Sequence, residues 1–344
     1  MEQTLLRSVF FFGVLCSIVS TPALARFEKS IAICKAPTPA QHAMLKLITK
    51  EIGEKDDPAR CEALYSRLSQ LKKIGFLGQP DESPDLTPLA ELTNIKQISF
   101  FGTGTIDIAP LKNIVGLLVL KIHSKSLKNA DTLRQFKGLK KLEISEAELT
   151  ELAPIASLPE LEWLQLSNNN ISIITPLENL KKMVHLNLAR NQIADLAALR
   201  SMPNLEHLSL LGNEITDLTP LRLLIRLKYV ILTINRVRDL TPLAGLTAIE
   251  TLNIGNNQVE DLTPLKNLTI LRDLTFASNK VRDVSPLAGL KKLETITMSS
   301  NRVERIMPLA ELPNLRHLSV SDNPLHDCSS AEIAWPGNGE IRCK

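Results

Sequence analysis

The chain has 344 residues, of which 44% are hydrophobic, 22% charged and only 4% aromatic. So much apolar material, with 40 Lys and Arg against 37 Asp and Glu, excludes a disordered chain. A formal charge of +3 gives no strong pull toward nucleic acid or anionic lipid, so neither is expected as a partner.

Residues 1–25 read as a secretory signal peptide. Arg7 precedes the apolar run Val9–Val19, and Ala23-Leu24-Ala25 supplies a small-residue cleavage site. That run is shorter than the ~20 residues of a membrane span, so stable membrane insertion is not expected, an uncleaved anchor being the alternative. Cleavage after Ala25 predicts a secreted or periplasmic chain starting at Arg26. Beyond the signal stand four cysteines, Cys34 and Cys61 near one end and Cys328 and Cys343 near the other. An even count in an exported chain predicts disulfides, and of the three pairings proximity favours Cys34–Cys61 with Cys328–Cys343. Zinc is the rival reading, but no Cys-x-x-Cys is present, and His42 with His326 makes a poor ligand set.

Residues 26–82 are expected to form a helical N-terminal cap. Thr38-Pro39 starts one helix, and Asp57-Pro58 starts a second whose Cys61, Leu64, Leu68 and Leu71 recur at helical spacing.

A 22-residue period then takes over, across residues 83–323. Asparagine recurs at Asn169, Asn191, Asn213, Asn235, Asn257, Asn279, Asn301 and Asn323, and counting outward fits eleven units without insertion or deletion. Each unit reads like Leu161-x-x-Leu164-x-Leu166-x-x-Asn169-x-Ile171, the spacing of a leucine-rich repeat. Its short strand points Leu164 and Leu166 inward and Trp163, Gln165 and Ser167 outward, and stacked laps form a parallel sheet about 4.8 Å apart. The asparagines form a structural ladder, their amides bonding backbone groups that the inward turn would otherwise bury unpaired. The fold class expected is an α/β solenoid. It is a right-handed leucine-rich repeat superhelix of about eleven repeats, with the sheet on its concave face, a helical N-cap and a disulfide-closed C-cap over 324–344.

The return side carries its own ladder. Proline stands at Pro88, Pro110, Pro154, Pro176, Pro220, Pro242, Pro264, Pro286 and Pro308, usually after Thr or Ser, which predicts a hydroxyl-capped α or 3₁₀ turn. Asp195, Asp217, Asp239, Asp261 and Asp283 recur in register just before it, and periodicity of that kind points to structure rather than hydrolysis or calcium. Arg238, Glu260, Arg282 and Glu304 alternate in sign down one column, which predicts an exposed row of inter-repeat ion pairs. In the first three units the ladder position holds Thr103, Lys125 and Ala147, and a charged Lys125 cannot lie unpaired inside, so the turn there is expected to be remodelled.

Units such as Leu246–Leu265, which combine the ladder asparagine with Asp261-Leu262-Thr263-Pro264-Leu265, resemble the repeats of bacterial internalin-like proteins. The likeness covers roughly residues 83–325. It implies an exported, non-enzymatic protein that binds a protein partner through the concave sheet. No immunoglobulin-like module, sorting signal or attachment repeat follows, so surface anchoring and host-cell invasion are not carried over.

Outward positions of the sheet are free of the fold's demands. The column two residues after each unit's first apolar position contains Trp163, His185, His207 and Tyr229 in succession, in a chain poor in aromatics. Such rings are enriched at binding hot spots, although packing between neighbouring strands explains them too. Gln165, Asn187, Ile231 and Leu211 lie in the next columns, the last two apolar at positions expected to face solvent. These eight residues are the candidate partner-binding site of a monomer that recognises a protein. Glycan or peptidoglycan binding is the alternative. His185 and His207 lack a third metal ligand, and no phosphate loop, His-Glu-x-x-His or nucleophile elbow is present, so neither cofactor nor catalysis is expected.

Overall fold

The structure, a computed structural model, describes residues 70–77, 83–90, 92–327 and 340–342. The expected signal peptide, most of the expected N-terminal cap and all four candidate disulfide cysteines lie outside the described residues. Among the described residues thirteen strands form one parallel sheet in chain order, from Lys73–Leu77 to Glu340–Arg342. Successive strands of the repeats pair at a constant offset of 22, as in Leu164↔Leu186↔Leu208. Eleven of the strands belong to the 22-residue units. The other two extend the sheet at its ends, and Lys73–Leu77 is a strand on Gln97–Phe101 where the sequence predicts cap. Leu71, expected on a cap helix, packs beside the core from outside any helix.

Inward residues such as Leu164, Leu166, Leu186 and Leu208 are buried in a single continuous core, each contributing about 1.5–3 kcal/mol relative to exposure. The ladder asparagines close the inward turn. Asn235 donates from Nδ2 to the carbonyls of Leu232 (2.9 Å) and, one lap earlier, Leu210 (2.9 Å), and its Oδ1 accepts the N–H of Ile215 at 3.1 Å. Each amide therefore bonds its own lap to the one before. The residue preceding each asparagine turns the chain through the left-handed region, from Asn168 (φ 56°) to Asp322 (φ 56°).

Each lap returns through a short 3₁₀ turn such as Thr241–Leu243. The predicted hydroxyl cap is not what starts it. Thr241 is already inside the turn, Leu240 holds the cap position without a side-chain bond, and the acceptor is Asp239, whose Oδ1 takes the Thr241 N–H at 2.8 Å. Asp217, Asp261 and Asp283 act alike on Thr219, Thr263 and Ser285. A carboxylate two residues ahead reaches a free N–H better than the turn's own hydroxyl, which explains the aspartate column.

The early laps are built differently. Thr105–Asp107 and Ser126–Lys128 pair as a separate two-stranded parallel sheet, and Lys125 is exposed with its N–H on the Gly104 carbonyl. Asn169 is the first ladder amide, its Oδ1 accepting the N–H groups of Ala147 (3.1 Å) and Leu149 (3.0 Å).

Candidate functional site

Constant register places the four ring residues side by side, Trp163↔His185↔His207↔Tyr229. Strands in a sheet are spaced close to the thickness two stacked rings need, so flat side chains in one column pile up. Trp163 and His185 stack at 3.6 Å between centroids, His185 and His207 are tilted at 5.2 Å, and His207 and Tyr229 stack at 4.5 Å. Lys141 closes one end with its Nζ 3.7 Å from the Trp163 ring centre, a cation–π contact, and pairs with Glu143 at 2.9 Å. At the other end Tyr229 is 39% exposed.

Charge is distributed unevenly along the pile. Burial, with the nearby His207 and Lys141, pushes His185 down to about 4, so the imidazole is neutral at physiological pH. Burial raises Glu143, but bonds and charge from Lys141 and Lys121 outweigh it and hold the carboxyl below its ordinary value. Trp163 Nε1 and His185 Nδ1 are buried with no hydrogen-bond partner among the described residues. Stacking is favoured there at the expense of hydrogen bonding.

Gln165, Asn187 and Ile231 lie one column over, half-exposed, and Leu211 is half-exposed beyond them. Asn187 is partly committed to its own turn, its Oδ1 accepting the Ala189 N–H at 3.0 Å. One neighbour was missed by sequence reasoning. Ile234 is 55% exposed at φ 58°, in a column otherwise filled by Glu146, Asn168, Arg190, Gly212, Asn256, Ser278, Ser300 and Asp322. A β-branched residue in the left-handed region is a true outlier. An isoleucine among turn formers was the available signal. With Leu211, Ile231 and Tyr229 it extends an apolar strip beyond the ring pile.

The predicted ion-pair row is corrected. Arg238 bonds Gln258 at 2.7 Å and Glu260 sits 3.9 Å from Lys280, so the members of that column do not pair with one another. Alternating charge pairs instead along the column just before the strands, as Lys140–Glu162 (3.1 Å), Lys228–Glu206 (2.7 Å) and Arg272–Glu294 (2.5 Å). After the turn, Arg236 and Glu214 still pair at the 22-residue offset (3.2 Å), but Arg238 and Glu260 reach across at an offset of 20. Among the described residues no group of three or more His, Cys, Asp or Glu is placed to hold a metal ion, and no helix is long and apolar enough to cross a membrane.

The leucine-rich repeat family, in its two-copy form, matches residues 159–201, 182–223 and 225–267. No curated protein matches the sequence. Among solved structures, an internalin (InlF) of Listeria monocytogenes is 24% identical over 89% of this chain and 97% of its own, with a TM-score of 0.73. Internalin C2 of the same organism is 29% identical over 62% of this chain and 92% of its own, with a TM-score of 0.51. A plant peptide hormone receptor, RGFR1, solved in complex with RGF2, is 18% identical over 73% of this chain and 43% of its own, with a TM-score of 0.62.

Proposed function

We propose that this internalin-like leucine-rich repeat protein is an exported binding module that captures a protein partner on the concave sheet face, without a covalent step. The observation that carries the proposal is the continuous pile Lys141–Trp163–His185–His207–Tyr229, half-exposed, with Leu211, Ile231 and Ile234 beside it. Rigid rings with little side-chain entropy to lose, next to apolar side chains in water, are the composition of an interface hot spot. Packing alone accounts for the stacking but not for a strained, exposed isoleucine at the same place.

The test uses the full chain as bait, comparing the native protein with a Trp163→Ala, Tyr229→Ala double variant. The variant should keep its circular dichroism spectrum and lose the partner. Recovery of the same partner in full yield by both would refute the placement. Export is tested separately by N-terminal sequencing of the chain recovered outside the cytoplasm, which should begin at Arg26. In the exported chain Cys34–Cys61 and Cys328–Cys343 are oxidised, so titration should find no free thiol among these four.

A further inference from the structure

From Leu149 to Val281 seven successive laps treat the position after the inward turn identically. Its N–H is accepted by the ladder asparagine of the next lap, as Leu149 by Asn169 and Ile171 by Asn191, and its carbonyl accepts a backbone N–H of that lap, as Leu149 from Asn170 and Ile171 from Gln192. Leu127 holds the same position one lap earlier. In the pairing of Ser126–Lys128 with Thr105–Asp107, the Lys128 carbonyl faces the earlier strand and accepts the Ile108 N–H, so alternation turns the N–H and carbonyl of Leu127 the other way. Neither group has a partner among the described residues. The amide that would cap the N–H is missing because position 147 is alanine. Glu148, whose N–H would reach the carbonyl, is at φ 53°.

A groove of about 590 Å³ opens where those bonds fail, lined by Leu127, Asn129, Asp131, Arg134, Glu148 and Glu151 among others. Its charged lining is three carboxylates against one guanidinium, and Arg134 is already paired with Asp131 at 2.9 Å.

We propose that the open edge of Ser126–Lys128 receives an extended segment of a partner protein bearing Lys or Arg side chains, added beside Leu127 as a third strand. A carbonyl of the incoming backbone accepts the Leu127 N–H, and an N–H two residues along donates to the Leu127 carbonyl. They stand in for the asparagine side-chain oxygen and the backbone N–H that the next lap supplies from Leu149 to Val281. Glu148 and Glu151 select for cationic side chains. The edge lies outside the thirteen-stranded sheet and does not rest on the ring pile, so the two sites stand or fall independently.

Two displayed hexapeptide libraries, one fixed for alternating Lys or Arg and the other for alternating Asp or Glu, are selected on the immobilised full chain. The basic library should enrich at least tenfold over the acidic one. The best synthetic peptide should slow Leu127 amide exchange at least tenfold while leaving Ile171 unchanged. Ala147→Asn, which restores the ladder amide, should weaken that peptide at least tenfold, and Trp163→Ala should not. The exchange measurement on the native chain decides the matter even if Ala147→Asn folds poorly. Absence of enrichment, or a bound peptide that leaves Leu127 exchange unaltered, overturns the proposal. Protection of Leu127 that rises with protein concentration alone also overturns it, in favour of a second copy on the same edge.

Discussion

The indole of Trp163 and the imidazole of His185 lie face to face, centroids 3.6 Å apart and planes within 4°. Contact this close suits a neutral imidazole. Its other face meets His207, and Lys141 already supplies a cation on the far side of the indole, so a proton on His185 would add charge where burial and two basic neighbours resist it.

Stability should therefore depend on pH in a window set by His185. Its pKa is about 4 folded and near the ordinary 6.5 unfolded, so the unfolded chain binds the proton first as pH falls. Stability from this group is complete above pH 6.5, declines between 6.5 and 4, and is constant below. With the ring only half-buried, solvent screening reduces the loss to about 1–2 kcal/mol. Urea midpoints measured from pH 7.5 to 4 should fall for the native chain and flatten in that window for His185→Phe. Equal slopes in the two proteins would exclude His185 as their source.

Asn235→Ala should destabilise by about 1–3 kcal/mol, because the N–H of Ile215 loses its acceptor inside the turn and the carbonyls of Leu210 and Leu232 each lose one of two amide donors, keeping those of Asn213 and Asn257. Amide exchange of Ile215 should accelerate more than that of Leu243, a lap away. An unmoved urea midpoint would mean that water replaces the amide without cost.

The solenoid was legible because a 22-residue period constrains every lap at once, so local ambiguity at one strand is resolved by ten others. The ring row followed, since parallel pairing at a fixed offset turns a sequence column into a spatial one. What escaped depends on geometry that periodicity does not carry. The charges Arg238 and Glu260 occupy one column yet bond elsewhere, because each finds a partner at an offset of 20 rather than 22, in the column of Gln258 and Lys280. The cap was assigned to Thr241 rather than Asp239 because the two differ by a shift of two residues along the chain, which residue types alone do not fix. Ile234 was passed over because hydrophobicity reads as core, whereas its exposure follows from the left-handed turn it occupies.

Ile234→Asn should raise stability and weaken partner capture together. Left-handed backbone costs a β-branched residue roughly 1–2 kcal/mol, and asparagine adopts it readily, as at Asn256 in the next lap. The substitution also removes the most exposed apolar side chain of the strip beside Tyr229. A higher urea midpoint with several-fold weaker capture is the expected pair of results. A stabilised variant that captures partner as well as the native chain would remove Ile234 from the interface.

The aspartate column supplies the last prediction through a lap that has an apolar residue in its place. Ile173 stands where Asp195, Asp217 and Asp239 stand in the following laps, and it is 64% exposed just ahead of the turn Thr175–Asn179. In lap after lap the carboxylate accepts the first N–H of the turn, and at Asp261 the hydroxyl and then the backbone N–H of Thr263 hold the carboxyl below its ordinary range. Ile173→Asp places the same acceptor before Thr175 and takes an apolar side chain out of water, so it should stabilise by about 0.5–1.5 kcal/mol at neutral pH. Asp261→Ala should cost a similar amount. Both effects belong to the ionised acceptor, so they should be present above the unfolded carboxylate pKa and shrink as pH falls through the folded one. Urea denaturation at pH 7 and pH 3 separates the cap from a simple change in hydrophobicity, because an Ile173→Asp gain that persists undiminished at pH 3 cannot come from a carboxylate.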